Sequence, residues 1–338
     1  MPEVSVILPV KNAESNLVRA LHSIRRQSYQ AWELIVVDDQ STDTSAQLVE
    51  EQILEDPRIR LLQNPSQGIA NALNHGISSA RGNKIARMDA DDVSHPDRFQ
   101  EQVTFLKTHP DVGLVGTQVN FLGDRGKHAG YAAYVDWTNE VTSPEEIRAN
   151  RFVESPFAHP SVMFRKDLVS SHPGPYKQGA FPEDYELWLR WMEEGVKMAK
   201  VPSILLDWYD PPDRLSRTDP RYLPDSFYQI KATYLANWLR KESHTDRPIW
   251  IWGAGRITRK RAQYLQEKGI SFSGFLDIDP KKTGVELNGL PVRQPDQLDL
   301  SLNPFVISYV GSRGARTKIK NFLLSKGLIE EIDFVLAA

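Results

Sequence analysis

The sequence predicts an α/β protein: a doubly wound, mainly parallel sheet followed by a smaller α/β unit. Three observations carry that expectation. Short apolar runs rich in β-branched residues alternate with helix-patterned stretches over the first 120 residues, the pattern that right-handed crossovers impose. Two of those runs, ELIVVDD and KIARMDADD, stop abruptly in acids, as buried strands do when their C-terminal ends open into a ligand crevice. From Pro248 the alternation starts again, after a polar stretch, with a strand, a glycine turn and a helix.

The elements follow in order. VSVILPV, from Val4 to Val10, is of strand length and exits at Lys11-Asn12; Leu17, Leu21 and Ile24 then fall at helical spacing, with Arg25 and Arg26 near the end that favours cations. Leu34 to Val37 is the second strand, and it ends in Asp38-Asp39. A helix from about Thr44, a strand at Ile59 to Leu62 and a helix from Ile69 to Ala80, closed by Gly82, lead to the fourth strand at Lys84. Gly123 to Gly130 reads as a loop, His159-Pro160-Ser161 as a turn before a short strand, Phe181 to Arg190 as the entry to an amphipathic helix, and Lys197 to Val201 as a strand. Tyr222 to Lys241 reads as a long helix with a polar linker after it.

Composition bounds the function. With 338 residues, 40% hydrophobic and 25% charged, the chain can bury two cores, and a net charge of -3 gives no electrostatic case for nucleic acid. Local basic patches leave peripheral contact with a membrane surface open. No apolar run is long enough to span a bilayer, and the chain enters a strand at Val4 without the order of a signal peptide. The absence of cysteine rules out disulfides and thiolate chemistry and fits a cytoplasmic location, with the inner face of the membrane open to it.

The chemistry concentrates at the two acid-ended strands. Asp89 and Asp91 are two apart, so in an extended chain both point to one side and offer hard oxygens to Mg²⁺ or Mn²⁺, shared with substrate phosphates. An EF-hand calcium loop counted from Asp89 would need an acid or amide, Gly and Glu where Val93, Ser94 and Gln100 stand, so it is excluded. The alternative that stays open is that these acids precede a helix start, since Ser94-His95-Pro96-Asp97 reads as an N-cap with Pro in the first turn. One sheet edge would bring Asp38 to the same crevice, where its carboxylate could accept the imide N–H of a uracil, or else form a turn.

The succession VSVILPVKN, ELIVVDDQSTD, NPSQGIANALNHGISSARGNKIARMDADD and HPDR resembles the nucleotide-diphospho-sugar-binding half of family 2 glycosyltransferases, which have the GT-A fold. The resemblance implies a metal-dependent inverting glycosyltransferase that moves a sugar from a nucleotide diphosphate, expected to be a UDP-sugar, to a glycan or lipid-linked acceptor in cell-surface polysaccharide biosynthesis. It implies Asp38 as the uracil-side acid, Pro9, Lys11 and Glu14 on the nucleotide-binding loop, Arg87 and Asp89 against the donor, and Asp89 and Asp91 as the metal motif. It extends to Pro182-Glu183-Asp184-Tyr185, whose Asp184 is implied as the general base with Glu183 in reserve. Arg214 and Arg217 then stand as candidates to neutralise the departing diphosphate, or as a solvated basic loop. A nucleotidyltransferase of the same fold is disfavoured because the loop after the first strand, Pro9-Val10-Lys11-Asn12, has no glycine. A non-catalytic nucleotide-sugar-binding protein is the other alternative.

The expected division is a transferase domain over 1–219, a helical linker over 220–246 and a Rossmann-like domain over 247–338. In the last, Ile249 to Trp252, the turn Gly253-Ala254-Gly255 and Asp277, 22 residues beyond Gly255, resemble a dinucleotide-binding unit. The third fingerprint glycine is replaced by Thr258. The partial motif leaves a nucleotide open and favours a structural or partner-binding role.

Overall fold

The computed structural model describes residues 1–169, 174–211, 214–312 and 314–338. Two compact units divide it: Met1–Ile147 with Pro156–Asp219, and Arg148–Ser155 with Pro220–Ala338.

In the first unit the chain runs β1 (Val4–Val10), α1 (Leu17–Arg25), β2 (Trp32–Asp38), α2 (Ser45–Glu55), β3 (Ile59–Gln63), α3 (Ile69–Ser78), β4 (Lys84–Arg87), β5 (Val93–Ser94), α4 (Arg98–Thr108), β6 (Val112–Leu122), α5 (Ala129–Glu140), α6 (Pro144–Asn150, its last residues in the second unit), β7 (Met163–Arg165), α7 (Glu183–Glu193), β8 (Lys197–Tyr209) and α8 (Leu215–Thr218). These strands form one sheet in the order β3-β2-β1-β4-β7-β6-β8-β5. The β3-β2-β1-β4 half is parallel throughout, whereas β7 pairs antiparallel with both β4 and β6. Both sheet faces are covered. Val6, Leu8, Leu34 and Val36 pack with Leu17, Leu21 and Ile24 of α1 and Phe99 and Val103 of α4. The opposite face takes α3 at close range through Gly76, where a Cβ would lie 2.7 Å from Ile7 Cγ2 and 3.0 Å from Val37 Cγ2.

Three local readings are corrected. Ser94 does not cap a helix; it ends β5, paired antiparallel with Leu206, and the helix begins at Arg98. The stretch after Gly123 turns into α5 already at Ala129. The strand read at Lys197 to Val201 continues to Tyr209, because its pairing with β6 runs on to Leu122↔Tyr209, with register shifts at three places along the way. Such irregularities bend a strand, and the far half of β8 thereby reaches β5, placing Trp208 and Tyr209 beside the end of β4.

The second unit carries α9 (Pro224–Lys241), β9 (Ile249–Trp252), α10 (Arg256–Glu267), β10 (Gly274–Leu276), β11 (Glu286–Leu287), β12 (Leu290–Arg293), β13 (Phe305–Ser308), α11 (Ala315–Ser325) and β14 (Phe334–Leu336) in a sheet ordered β11-β12-β10-β9-β13-β14. Helix α9 packs on this unit rather than standing apart as a linker: Asp225 pairs with Lys260 at 2.6 Å, and the buried Lys231 ammonium donates to the carbonyls of Val153 and Ala337 at 3.0 and 3.1 Å. The segment from Arg148 to Ser155 joins it through Arg151–Glu331 at 2.5 Å. At the glycine turn, Gly253 takes φ 108° and a Cβ there would meet Thr258 Oγ1 at 2.8 Å. Asp277, at the position that binds ribose in dinucleotide units, accepts from Ala254 N at 2.9 Å and pairs with Lys282 at 3.3 Å.

Arg98 fixes the end of β4. Fully buried, it donates to the carbonyls of Arg87 at 2.8 Å and Val162 at 3.3 Å and to Gln102 Oε1 at 3.1 Å. Arg98→Met keeps the volume and takes the buried donor from the Arg87 carbonyl and Gln102 Oε1, while Val162 O keeps Arg87 N–H at 3.0 Å, so a loss of about 3 kcal/mol is expected. Urea unfolding followed by far-UV circular dichroism checks it: the midpoint falls while the slope stays.

Candidate active site

Strand β1 pairs with β2 up to Val10↔Asp38 but with β4 only as far as Ile7↔Arg87. The sheet therefore splits at Pro9, a residue with no N–H to offer a neighbour, and a crevice opens at the C-terminal strand ends. The loops beyond β1 and β2 are bonded to each other along this edge. Asn12, at φ 50°, accepts from Thr42 N at 2.8 Å and donates its own N–H to Ser41 Oγ at 3.0 Å. Glu14 accepts from the backbone N–H and hydroxyl of Thr44, at 3.1 and 2.7 Å, so the structure uses its carboxylate to hold the start of α2. Asp38, buried at the end of β2, accepts from Ser41 N at 3.0 Å. Its neighbour Asp39 accepts from Asn64 Nδ2 at 2.5 Å and Gly68 N at 2.9 Å, and Lys11, half-exposed, lies 3.9 Å away.

At the end of β4, one carboxylate oxygen from each of Asp89, Asp91 and Asp92 falls within 4.8 Å of the others. Sequence reading singles out Asp89 and Asp91 and gives Asp92 no role. The fold brings it in by burying it fully and tying its Oδ1 to Tyr209 N at 2.9 Å, while its buried Oδ2 has no hydrogen-bond partner among the described residues. Burial and then the charge of Asp89 push Asp91 up to about 6; burial, Asp91 and Asp89 push Asp92 well above the usual carboxylate range. Such a set of crowded oxygens, one of them orphaned, fits a hard divalent cation. Arg87 is buried at the strand's last position with its guanidinium against Asp89.

Asp184 stands in the first turn of α7, after the N-cap Pro182, with its Oδ1 2.7 Å from Tyr185 N. Burial, then the adjacent Glu183, push it up to about 7, and Arg87 pulls the other way. Arg87, paired with Asp89, thus acts through its charge on Asp184 as well. Tyr176, which nothing in the sequence singles out, lies among the same groups. Its backbone is clamped by Asn74, through bonds of 2.8 and 3.0 Å, and its hydroxyl lies 2.8 Å from His159 Nε2. Burial, then Arg87, hold His159 well below its ordinary range, so it is a neutral hydrogen-bonding partner.

Across the crevice, the two arginines of the loop after β8 part company. Pro212 and Asp213 of that loop lie outside the described residues. Arg217 grips Asp210 at 2.5 and 2.7 Å and donates to His128 Nε2 at 3.0 Å, and His128 Nδ1 lies 2.8 Å from Asp210. Arg214 instead stacks over Trp208 at 4.2 Å and Tyr131 at 5.1 Å.

Comparison with known proteins agrees with this arrangement. The model of "Glycosyl transferase family 2" matches residues 5–172. AmsE of Erwinia amylovora, an amylovoran biosynthesis glycosyltransferase, is 32% identical over 207 residues, which are 60% of this chain and 74% of AmsE. Residues 1–349 of S. aureus TarS, solved with UDP-GlcNAc, give a TM-score of 0.57 at 17% identity over 79% of this chain and 71% of that one. The mannosyltransferase PcManGT of Pyrobaculum calidifontis, solved with GDP-Man and Mn²⁺, gives 0.51 at 20% identity over 72% and 64%. At those identities the two structures establish the GT-A fold of the first unit, and together with the sequence match they leave one assignment: the chain belongs to glycosyltransferase family 2.

Proposed function

We propose that this glycosyltransferase moves a sugar, with inversion, from a UDP-sugar to a glycan or lipid-linked acceptor during polysaccharide synthesis, at a Mn²⁺ or Mg²⁺ held by Asp89, Asp91 and Asp92. The observation that carries it is an acid triad paired through Asp89 with the buried Arg87, together with a separate carboxyl raised to about 7, Asp184, on which the same arginine acts. When bound, the cation would offset the charge that develops on the leaving diphosphate. Pro9, Lys11 and Glu14 frame the nucleotide edge of the crevice, and Asp38 would accept an imide N–H of the base. TarS bound to UDP-GlcNAc supports a uracil, and PcManGT bound to GDP-Man supplies the comparison to test, since guanine also presents N–H groups to a carboxylate.

In the transfer, the acceptor oxygen forms a bond to the anomeric carbon from the face opposite the leaving group. The bond from that carbon to the diphosphate oxygen breaks, its electron pair leaves with the diphosphate, and the acceptor proton passes to Asp184. A carboxylate raised to about 7 is a much stronger base than an exposed one and is still half ionised at neutral pH. Arg87, buried and paired with Asp89, would meet the donor from a fixed position at the end of β4.

The acceptor sets the place of work. No helix among the described residues is long and apolar enough to cross a membrane, so a lipid-linked acceptor would be met from the membrane surface. Engagement of Asp277 by Ala254 N and Lys282 supports a structural or partner-binding role for the second unit, and we assign it as a domain distinct from the transferase.

Asp91→Asn is expected to weaken UDP binding in Mn²⁺ by at least tenfold, about 1.4 kcal/mol, and to leave the melting temperature unchanged or raised. Calorimetry with UDP, and with GDP beside it, reads this, and affinity that survives both the substitution and EDTA removes the metal assignment.

Asp184→Asn is expected to lower turnover by about 10²–10⁴ with donor affinity kept. Because the folded state raises this carboxyl above its unfolded value near 3.8, its ionisation costs stability as pH rises from about 4 to 7, and the loss persists above that. Wild-type kcat/KM should therefore climb tenfold per unit below about 7 and then level, while Asp184→Asn melts higher than wild type at pH 8 and not at pH 4. Turnover near the wild-type value would instead make Asp184 a helix-start residue, since Asn serves there as well.

A further inference from the structure

Three buried polar atoms in one corner of the crevice lack hydrogen-bond partners among the described residues: Asp92 Oδ2, Trp208 Nε1 and Arg214 Nη1. The backbone explains why they are together. Pairing of Val93 with Asp207 sets Asp92 opposite Trp208, Tyr209 N holds the Asp92 carboxylate, and the Arg214 guanidinium lies over the Trp208 ring at 4.2 Å. Its companion Arg217 is taken up by Asp210 and His128. Arg214 is therefore the cation of this loop with a donor group left over, next to an acid cluster with an acceptor left over.

We propose that Arg214 is an exchangeable counter-ion: in the ligand-free protein it balances the Asp89, Asp91 and Asp92 carboxylates, and when the divalent cation takes that role the guanidinium turns to the donor's diphosphate. The inference rests on the metal-dependent reading above and adds a competition to it. One guanidinium cannot serve both groups fully, so each is satisfied only when the other is supplied with a partner. Burial alone would lower the basicity of Arg214, yet Tyr131, Asp92, Asp89 and Asp91 together hold it above its ordinary value, in keeping with a charge already facing the acids. The stacking on Trp208 and Tyr131 lets the head group pivot while the side chain stays seated.

The consequence is opposite in sign for two ligands. Removing a cation that competes for the acids should tighten the binding of a metal ion alone, and removing a phosphate partner should weaken the nucleotide. Arg214→Met keeps the length and loses the charge. Calorimetric titration with Mn²⁺ alone is expected to show roughly tenfold tighter binding than wild type, and UDP in saturating Mn²⁺ roughly tenfold weaker binding. Arg214→Lys, which keeps the charge, is expected to return Mn²⁺ binding to the wild-type value, and circular dichroism verifies the fold of each variant. Mn²⁺ affinity unchanged or lowered in Arg214→Met, or UDP affinity unchanged, refutes the exchange. Wild-type protein that binds UDP equally with and without Mn²⁺ would instead sink the metal reading on which it stands, so the two failures are told apart.

Discussion

Three carboxylates whose oxygens lie within 4.8 Å of one another, one of them on a fully buried residue, repel each other strongly and resist ionisation together. Nearly every feature of the first unit can be traced to holding that cluster in place. Arg98, fully buried, pins the Arg87 carbonyl at the end of β4; Arg87 lies against Asp89; Tyr209 N–H clamps Asp92; and the Arg214 charge acts on all three acids. Without such a frame the acids would separate. With it, the fold keeps three carboxyl groups together at a strand end, where a hard cation and a diphosphate can share their oxygens once the protons leave.

The same constraint separates chemistry from binding. Arg87 is close enough to pull the Asp184 carboxyl down, yet burial and Glu183 prevail and leave that group near 7. The site thus holds carboxyls in two settings: a crowded cluster suited to a metal and, apart from it, Asp184, suited to taking a proton. Tyr176 and His159 add a neutral hydrogen bond to the same neighbourhood, where Tyr176 lies within reach of the charges of Arg87, Glu183, Asp184 and Asp89.

How far this was legible in the sequence depends on the range of the interaction. VSVILPV and ELIVVDD announce buried strands through local composition, and acids at both strand ends point to the crevice without any tertiary information. The role of Asp92 needs β8, whose bent far half is invisible to local pattern because the bend lies in its pairing with β6. Tyr176 is placed by Asn74, 102 residues away. Arg214 and Arg217 look equivalent in a stretch of sequence; only His128 and Asp210, brought in by α5 and the end of β8, divide their roles. Association of Arg148–Ser155 with the second unit, through Glu331 and Lys231, is likewise a long-range fact that no linker composition signals.

The central claim is that the acid cluster carries protons in the ligand-free protein and gives them up to a cation. Proton release on binding Mn²⁺ with UDP, obtained from calorimetry in buffers of different ionisation enthalpy, tests it most directly. With Asp91 raised to about 6 and Asp92 held well above the usual carboxylate range, the expected result is measurable proton release at pH 6 that diminishes toward pH 8. Binding with no proton release at either pH, at undiminished affinity, would contradict it.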